Sequence, residues 1–375
     1  MRVGIMLRAY DERGGVGVYT RNITKYLIAA EESHEFVLYV DDPASVQDLA
    51  LLERVEVRPV RVRSKFIWDQ LVIPYRFWRD SLDVVFHPKF TVPLLCWRKS
   101  VMVLHGAGWF IPETRKYWSW ATRAYTRLMM PIYCWAAGAV AAVSHITREV
   151  FVETLGVSPD KITTVYFAPG DQFQHRCSSA ELAAIRQKYA LPENFIFTIS
   201  GEDRDDRKNF GAILEAFRIV HANEPCKLVV AGRGCEQFRD RYSIPLDGYG
   251  ADIIFPGWID QADLPAFYQL ATCFVYPSNM EAFPIPVTEA LTSGTPLITS
   301  DAFGLKELAG DAALLVDPQD PQAIAQAVID VLADIELQKV LSARAFDRAS
   351  AFSWERCVQQ TMGLLERAAA KGSTP

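Results

Sequence analysis

The sequence predicts an α/β protein of two Rossmann-like, doubly wound domains. Three observations carry that expectation. Short apolar runs alternate with helical patterns along the chain, as parallel strands joined by crossover helices do. The 375 residues exceed what one ordinary core holds. The strand series also restarts after the break Ala168-Pro169-Gly170-Asp171, which reads as an inter-domain hinge between domains at 1–170 and 171–352.

In the first half, strands are expected near 2–7, 36–40, 55–60, 83–86, 101–104, 139–143 and 162–165. Between them lie helices such as Val18–Ala30, where Val18, Ile23, Leu27 and Ala30 share roughly one face. Ser144 is placed as the N-cap of a helix reaching Leu155 and ended by Gly156. The second series has strands near 195–199, 227–231, 253–255, 273–276, 296–299 and 312–316, then helical segments at about 320–349 and 353–370. Ligands of such sheets bind at the carboxyl ends of the strands, here in a central cleft that the two domains are expected to face.

Composition narrows the partners. The net charge of −6 and pI near 5.6 give no support for nucleic-acid binding by the whole chain. Residues 54–127, however, hold fourteen Lys and Arg against five Asp and Glu, a local +9, and six of the nine Trp. Seven cysteines without paired spacing suggest neither a zinc site nor a disulfide framework, and fit a reducing cytosol. The N-terminal Met-Arg-Val-Gly-Ile-Met-Leu reads as a strand rather than a signal peptide. The longest apolar stretch, Met129 to Val143, is fifteen residues, too short to span a bilayer.

The most informative motif is Glu281-Ala-Phe-Pro-Ile-Pro-Val-Thr-Glu289. Pro284 and Pro286 exclude a regular helix from its first half, so a helix is expected from Pro286 to about Ser293, stopped by Gly294 and Pro296. Its start is expected to offer a ring of unpaired N–H groups to a phosphate, with Glu281 before it and Glu289 in its first turn. Such acids can hold sugar hydroxyls; otherwise Glu289 complements the helix dipole and Glu281 is solvated.

Gly14-Gly15-Val16-Gly17 narrowly misses the dinucleotide fingerprint, because Thr20 replaces the third glycine and Gly14 comes seven residues after the strand ends. A longer, flexible glycine loop, or a plain surface turn, is the expectation. Ser200 to Asn209 follows a strand, and its Arg207 and Lys208 suit a diphosphate; a solvated loop is the alternative. Asp203-Arg204-Asp205 has metal-pair spacing, but the neighbouring cations already supply a metal's charge, so no metal is expected. His105-Gly106 ends a strand facing the expected cleft, and Val230 to Gly234 and Phe255 to Trp258 end two more that could wall a nucleotide base.

Together these segments resemble a retaining glycosyltransferase of family 4, with the architecture called GT-B. The likeness rests on Gly14 to Gly17, His105-Gly106, Ala142-Val-Ser144, Arg207-Lys208-Asn209 and Pro277-Ser278-x-x-Glu281. It continues through Glu289-Ala-Leu-x-x-Gly294-x-Pro296, Gly310 to Pro318 and Phe352-Ser-Trp-Glu355. It implies a donor site in which Glu289 binds the nucleotide's ribose and Glu281 the transferred sugar. Arg207 and Lys208 would grip the diphosphate and His105 would lie near the reacting centre, with Gly15, Gly17, Phe283, Pro284 and Ile285 completing donor binding. It also implies an acceptor-binding N-terminal domain completed by a final helix at about 353–375, and a donor domain at 171–352. Two departures matter: Pro284 stands where many members have glycine and removes an N–H, and Glu202 stands where some have a second arginine.

The expected activity is metal-independent hexosyl transfer, with no cofactor, from a nucleotide-diphosphate sugar to a glycan or lipid-linked glycan of a cell-surface polysaccharide or lipopolysaccharide. By resemblance the donor is GDP-mannose. The protein is expected in the cytoplasm, with the basic, Trp-rich 54–127 stretch touching the inner membrane face unless its aromatics are core. The alternatives are an NAD-dependent oxidoreductase and a non-catalytic nucleotide-sugar-binding protein.

Overall fold

The structure, a computed structural model, describes residues 1–12, 14–30, 32–201 and 207–371. The chain divides into two units, Met1–Ala168 with Ser353–Pro375, and Pro169–Phe352.

The first unit is a seven-stranded parallel sheet in the order β3-β2-β1-β4-β5-β6-β7. The strands are β1 (Arg2–Met6), β2 (Glu35–Val40), β3 (Val55–Pro59), β4 (Val84–His87), β5 (Ser100–Leu104), β6 (Ala139–Ala142) and β7 (Ile162–Thr164). β4, β5 and β6 are buried along their whole length, as apolar runs covered on both faces must be. Strand order reverses beside β1, whose neighbours are β2 and β4, which makes the carboxyl ends of β1 and β4 the switch point of this sheet.

Helix α1 (Gly15–Ala30) begins three residues before the predicted Val18. Gly15 and Gly17 therefore form a first helical turn rather than a flexible loop, with Val18 N–H closing on Gly14 carbonyl at 3.1 Å. Gly17 is required by contact: a Cβ there would lie 1.7 Å from the Glu12 carbonyl oxygen, so the loop from β1 is folded against the helix start. Helices α2 (Trp120–Ala136) and α3 (His145–Leu155) follow, α3 capped by Ser144 and ended by left-handed Gly156 as expected. The final helix, α10 (Trp354–Ala370), packs on α1 and on β4, β5 and β6. Trp354 is buried there among Tyr19, Tyr26 and Phe167.

The second unit is a six-stranded parallel sheet in the order β10-β9-β8-β11-β12-β13. These are β8 (Phe195–Ile199), β9 (Lys227–Ala231), β10 (Ile253–Gly257), β11 (Cys273–Tyr276), β12 (Leu297–Ser300) and β13 (Ala313–Val316). Around them run α4 (Phe210–Asn223), α5 (Leu264–Leu270), α6 (Ile285–Ser293), α7 (Phe303–Ala309), α8 (Pro321–Ala333) and α9 (Ile335–Ala349). The segment expected to be one helix at 320–349 is broken at Asp334, whose carboxylate caps α9 by accepting from the Glu336 and Leu337 N–H groups. Strand order reverses beside β8, which pairs with both β9 and β11, so the loops after β8 and β11 meet at this sheet's switch point.

Candidate active site

Those two loops carry the predicted residues of the second unit, and their backbones are fastened together. The Arg207 carbonyl accepts from Ser278 Oγ at 2.9 Å and from Asn279 N–H at 2.9 Å. Asn209, in the left-handed region at φ 60°, donates through Nδ2 to the Pro277 carbonyl at 3.0 Å and the Pro318 carbonyl at 2.6 Å. The result sets Arg207 against Glu281. Arg207 Nη1 lies 2.5 Å from Glu281 Oε1, and also donates to the Met280 carbonyl at 3.0 Å.

Glu281 is thus not the solvated acid of the alternative reading. Its Oε1 also accepts from the Tyr276 hydroxyl at 3.0 Å, at the end of β11. Its own carbonyl takes the Gly304 N–H at 3.0 Å, which ties the loop to α7. A Cβ on Gly304 would meet the Ala282 carbonyl oxygen at 2.2 Å, so that approach demands glycine.

Helix α6 starts at Ile285, one residue before the predicted Pro286, with Pro284 as its cap. The expected ring of unpaired N–H groups is not there, because Pro284 and Pro286 carry none and Val287 donates to the Pro284 carbonyl at 3.0 Å. Ile285 is left as the N–H of this first turn that can face an anion. Phe283 packs edge-on against Phe352, centroids 6.0 Å apart.

Glu289 sits in the second turn of α6 rather than the first, and is 7% exposed. It therefore does not act as a surface complement to the helix dipole. Its Oε2 accepts from the Tyr268 hydroxyl at 2.8 Å. Burial pushes this carboxyl up to about 7, while the Tyr268 hydroxyl and the Lys208 charge draw it back. Each acid thus has one oxygen fastened by a tyrosine, with Arg207 added at Glu281. Two carboxylates fastened in this way beside two cations can accept hydroxyl groups next to an anion.

The two weak strand-end motifs also converge. A Cβ on Gly232, at φ 137°, would lie 2.1 Å from the Ser200 carbonyl oxygen, so the loops after β8 and β9 touch. The Arg233 guanidinium lies 5.8 Å from the ring of exposed Trp258. Asp203, Asp205, Glu202 and Arg204 lie outside the described residues.

Gly15, Gly17 and His105 belong to the first unit. His105 Nε2 donates to the Pro88 carbonyl at 2.9 Å, and its ring meets Tyr19 edge-on at 5.0 Å. Burial lowers its pKa to about 4, so it is a neutral imidazole whose Nδ1 is the acceptor. Around the β1 and β4 ends stands a network that the sequence did not disclose. Arg8 Nη2 pairs with Asp69 Oδ2 at 2.9 Å, Thr91 Oγ1 donates to the same carboxylate oxygen at 3.0 Å, and Lys89 pairs with Glu12 at 2.5 Å. Asp69 and Gln70 reach inward from a π-helical stretch, Trp68–Val72.

The basic, Trp-rich stretch is part core and part surface. Trp68 is fully buried, whereas Trp78 and Trp120 are exposed. On α2, Tyr125, Leu128, Ile132 and Trp135 are all exposed at helical spacing, with Arg123 and Arg127 on the same helix. Trp97 packs edge-on against Trp135, centroids 3.9 Å apart, beneath the Arg98 guanidinium. No helix among the described residues is long and apolar enough to cross a membrane.

Two family models together cover most of the chain. Residues 13–167 match the family model "Glycosyltransferase Family 4", and residues 183–348 match "Glycosyl transferases group 1". The chain is 28% identical over 370 residues to O-antigen chain mannosyltransferase B of Escherichia coli, covering 93% of this chain and 94% of that one. It is 28% identical over 224 residues to the serotype-specific mannosyltransferase WbdA of Escherichia coli, which spans 58% of this chain but 27% of that longer protein. Among solved structures, a glycosyltransferase from Rickettsia africae superposes with a TM-score of 0.76 at 16% identity, covering 98% of both chains. WaaG, a glycosyltransferase involved in lipopolysaccharide biosynthesis, gives 0.70 at 15% identity over the full length of both. HepE of Anabaena, solved in complex with UDP-glucose, gives 0.75 at 16% identity, covering 98% of this chain and 99% of that one. At these identities the structural likeness is one of fold.

Proposed function

This chain belongs to glycosyltransferase family 4 and is a hexosyltransferase of GT-B fold, and on that premise we propose that it moves mannose from a nucleotide-diphosphate donor, GDP-mannose, with retention at the anomeric carbon. The acceptor is a glycan or lipid-linked glycan of a cell-surface polysaccharide. The observation that carries this reading is the meeting of Arg207, Lys208, Glu281 and Glu289 around one sheet's switch point, joined to likeness with one mannosyltransferase over nearly the whole chain.

The residues have distinct tasks. Glu289 takes the ribose hydroxyls, and Glu281 orients the transferred sugar through the oxygen not fastened by Tyr276 and Arg207. As the glycosidic bond breaks, negative charge grows on the leaving diphosphate. Arg207, Lys208 and the Ile285 N–H are held ready where it grows, so little reorganisation is needed in the transition state. These cations supply the charge that a divalent metal would otherwise bring, and the reaction is proposed to need none. The base lies against the Arg233 and Trp258 wall. The oxidoreductase alternative loses its support: β1 ends at Met6 and α1 opens only at Gly15, so no tight dinucleotide turn forms.

The exposed apolar stripe of α2 and its arginines support peripheral contact with the cytoplasmic membrane face, where a lipid-linked acceptor would be met. A thermal-shift screen across GDP-, UDP-, ADP- and dTDP-sugars tests the donor assignment. Stabilisation by GDP-mannose above the others supports it; a shift with NAD and with no nucleotide sugar contradicts the whole reading.

A further inference from the structure

We propose that Tyr268 is a positioning residue of the donor site, holding the Glu289 carboxylate so that its second oxygen is presented to the nucleotide's ribose hydroxyls. The inference rests on the reading of Glu289 as the ribose-binding acid and adds the device that keeps it usable. Tyr268 lies on α5 and is fully buried. Its hydroxyl donates to Glu289 Oε2 at 2.8 Å. Three rings cage it, with centroids at 5.7 Å for Phe173, 5.1 Å for Phe197 and 4.9 Å for Phe274. Its carbonyl accepts from Thr295 Oγ1 at 2.8 Å, just past the end of α6, the helix that carries Glu289. Backbone and ring are both fixed, so the hydroxyl cannot follow the carboxylate if the latter turns.

The physical need for such a partner follows from burial. A carboxylate taken from water into apolar packing prefers to be protonated, and a hydrogen bond to the charged form opposes that. Glu289 is held near its tipping point, at about 7, with Tyr268 and Lys208 favouring the charged form. A neutral acid accepts less well from ribose hydroxyls than a carboxylate does. Without the Tyr268 hydroxyl, Glu289 is therefore protonated at higher pH and is free to take another rotamer. A tyrosine that served only to fill space would leave both properties untouched when replaced by phenylalanine.

The test is nucleoside diphosphate binding by calorimetry, as a function of pH, to the unaltered protein, Tyr268→Phe, Glu289→Gln and the double variant. GDP and UDP are the probes. The unaltered protein is expected to bind one of them more tightly as pH rises through about 7. Tyr268→Phe should move that midpoint upward and weaken binding about tenfold near neutrality, with affinity recovering at alkaline pH. Glu289→Gln should bind weakly with no such pH dependence, and adding Tyr268→Phe to it should cost nothing more. Thermal unfolding of each variant separates a folding defect from a local one. An unchanged pH midpoint in Tyr268→Phe, or additive losses in the double variant, overturns the positioning role while leaving Glu289 as the ribose acid. Failure of both nucleotides to bind the unaltered protein removes the donor-site reading, and this inference with it.

Discussion

The Arg207 guanidinium and the Glu281 carboxylate form an ion pair across the switch point of the second sheet, with Nη1 2.5 Å from Oε1. One side chain follows β8 and the other follows β11, and these strands are neighbours, so the pair is a product of topology. Lys208→Ala and Glu281→Ala are each expected to cut transfer about 10²–10³-fold, the usual cost of one charge-stabilising or orienting group. Arg207→Ala and Glu281→Ala should combine to little more than the worse of the two, since each removes the other's partner. Steady-state kinetics on purified variants checks both; near-normal turnover of either single variant contradicts the assigned roles.

Burial of Glu289 carries a stability signature. Its folded pKa, about 7, is raised above the ordinary 4.5, so the folded state holds this proton more tightly than the unfolded chain. The sign is the reverse of a salt-bridged acid: no penalty exists below the unfolded value, stability falls as pH rises between the two values, and the full penalty stands above the folded one. That penalty is at most roughly 3 kcal/mol. Glu289→Gln should therefore raise the unfolding midpoint increasingly as pH rises from about 5 to about 8. An equal shift at both ends would show that Glu289 titrates normally.

Two glycines give a paired test of loop placement. Gly304→Ala drives a methyl into the Ala282 backbone and should cost about 1–3 kcal/mol, with weakened donor binding because the Glu281 loop must move. Gly363→Ala, on α10 with nothing within 4 Å of the new methyl, should instead gain up to about 1 kcal/mol from helix propensity. Chemical denaturation of the two variants decides this; the opposite ordering would mean that the Glu281 loop is not held by α7.

The α2 surface predicts membrane behaviour. The unaltered protein should sediment with vesicles rich in anionic lipid at low salt and be released by high salt, and Leu128→Glu with Trp135→Glu should stay in solution. Equal sedimentation of both proteins would place the contact elsewhere.

The fold was legible from the sequence because strand periodicity and loop punctuation are local signals. Every predicted strand is present, with boundaries within a residue or two. The structure sets Arg207 against Glu281 and brings the Lys208 charge to bear on Glu289, a juxtaposition that follows because each predicted set lies on one continuous loop-and-helix segment. Contacts set by packing between distant segments leave no such local signal. Tyr268 reaches Glu289 from another helix, and Arg8 meets Asp69 only because a π-helical stretch turns that carboxylate inward. Helix α1 starts earlier than helix propensity predicts, because two glycines are poor helix formers, yet the Glu12 backbone leaves room for nothing larger than Gly17. The N–H ring at α6 is smaller than a helix start normally offers, because a second proline removes a donor wherever it stands in the first turn.

The most direct measurement is the product of incubating the purified protein with GDP-mannose and an α-linked mannose oligosaccharide in EDTA, followed by NMR of the new anomeric proton. The account predicts release of GDP and a new α-mannosyl linkage, formed with retention and undiminished by the chelator. A β-linked product, a requirement for added divalent metal, or binding of donor without any release of GDP would contradict it.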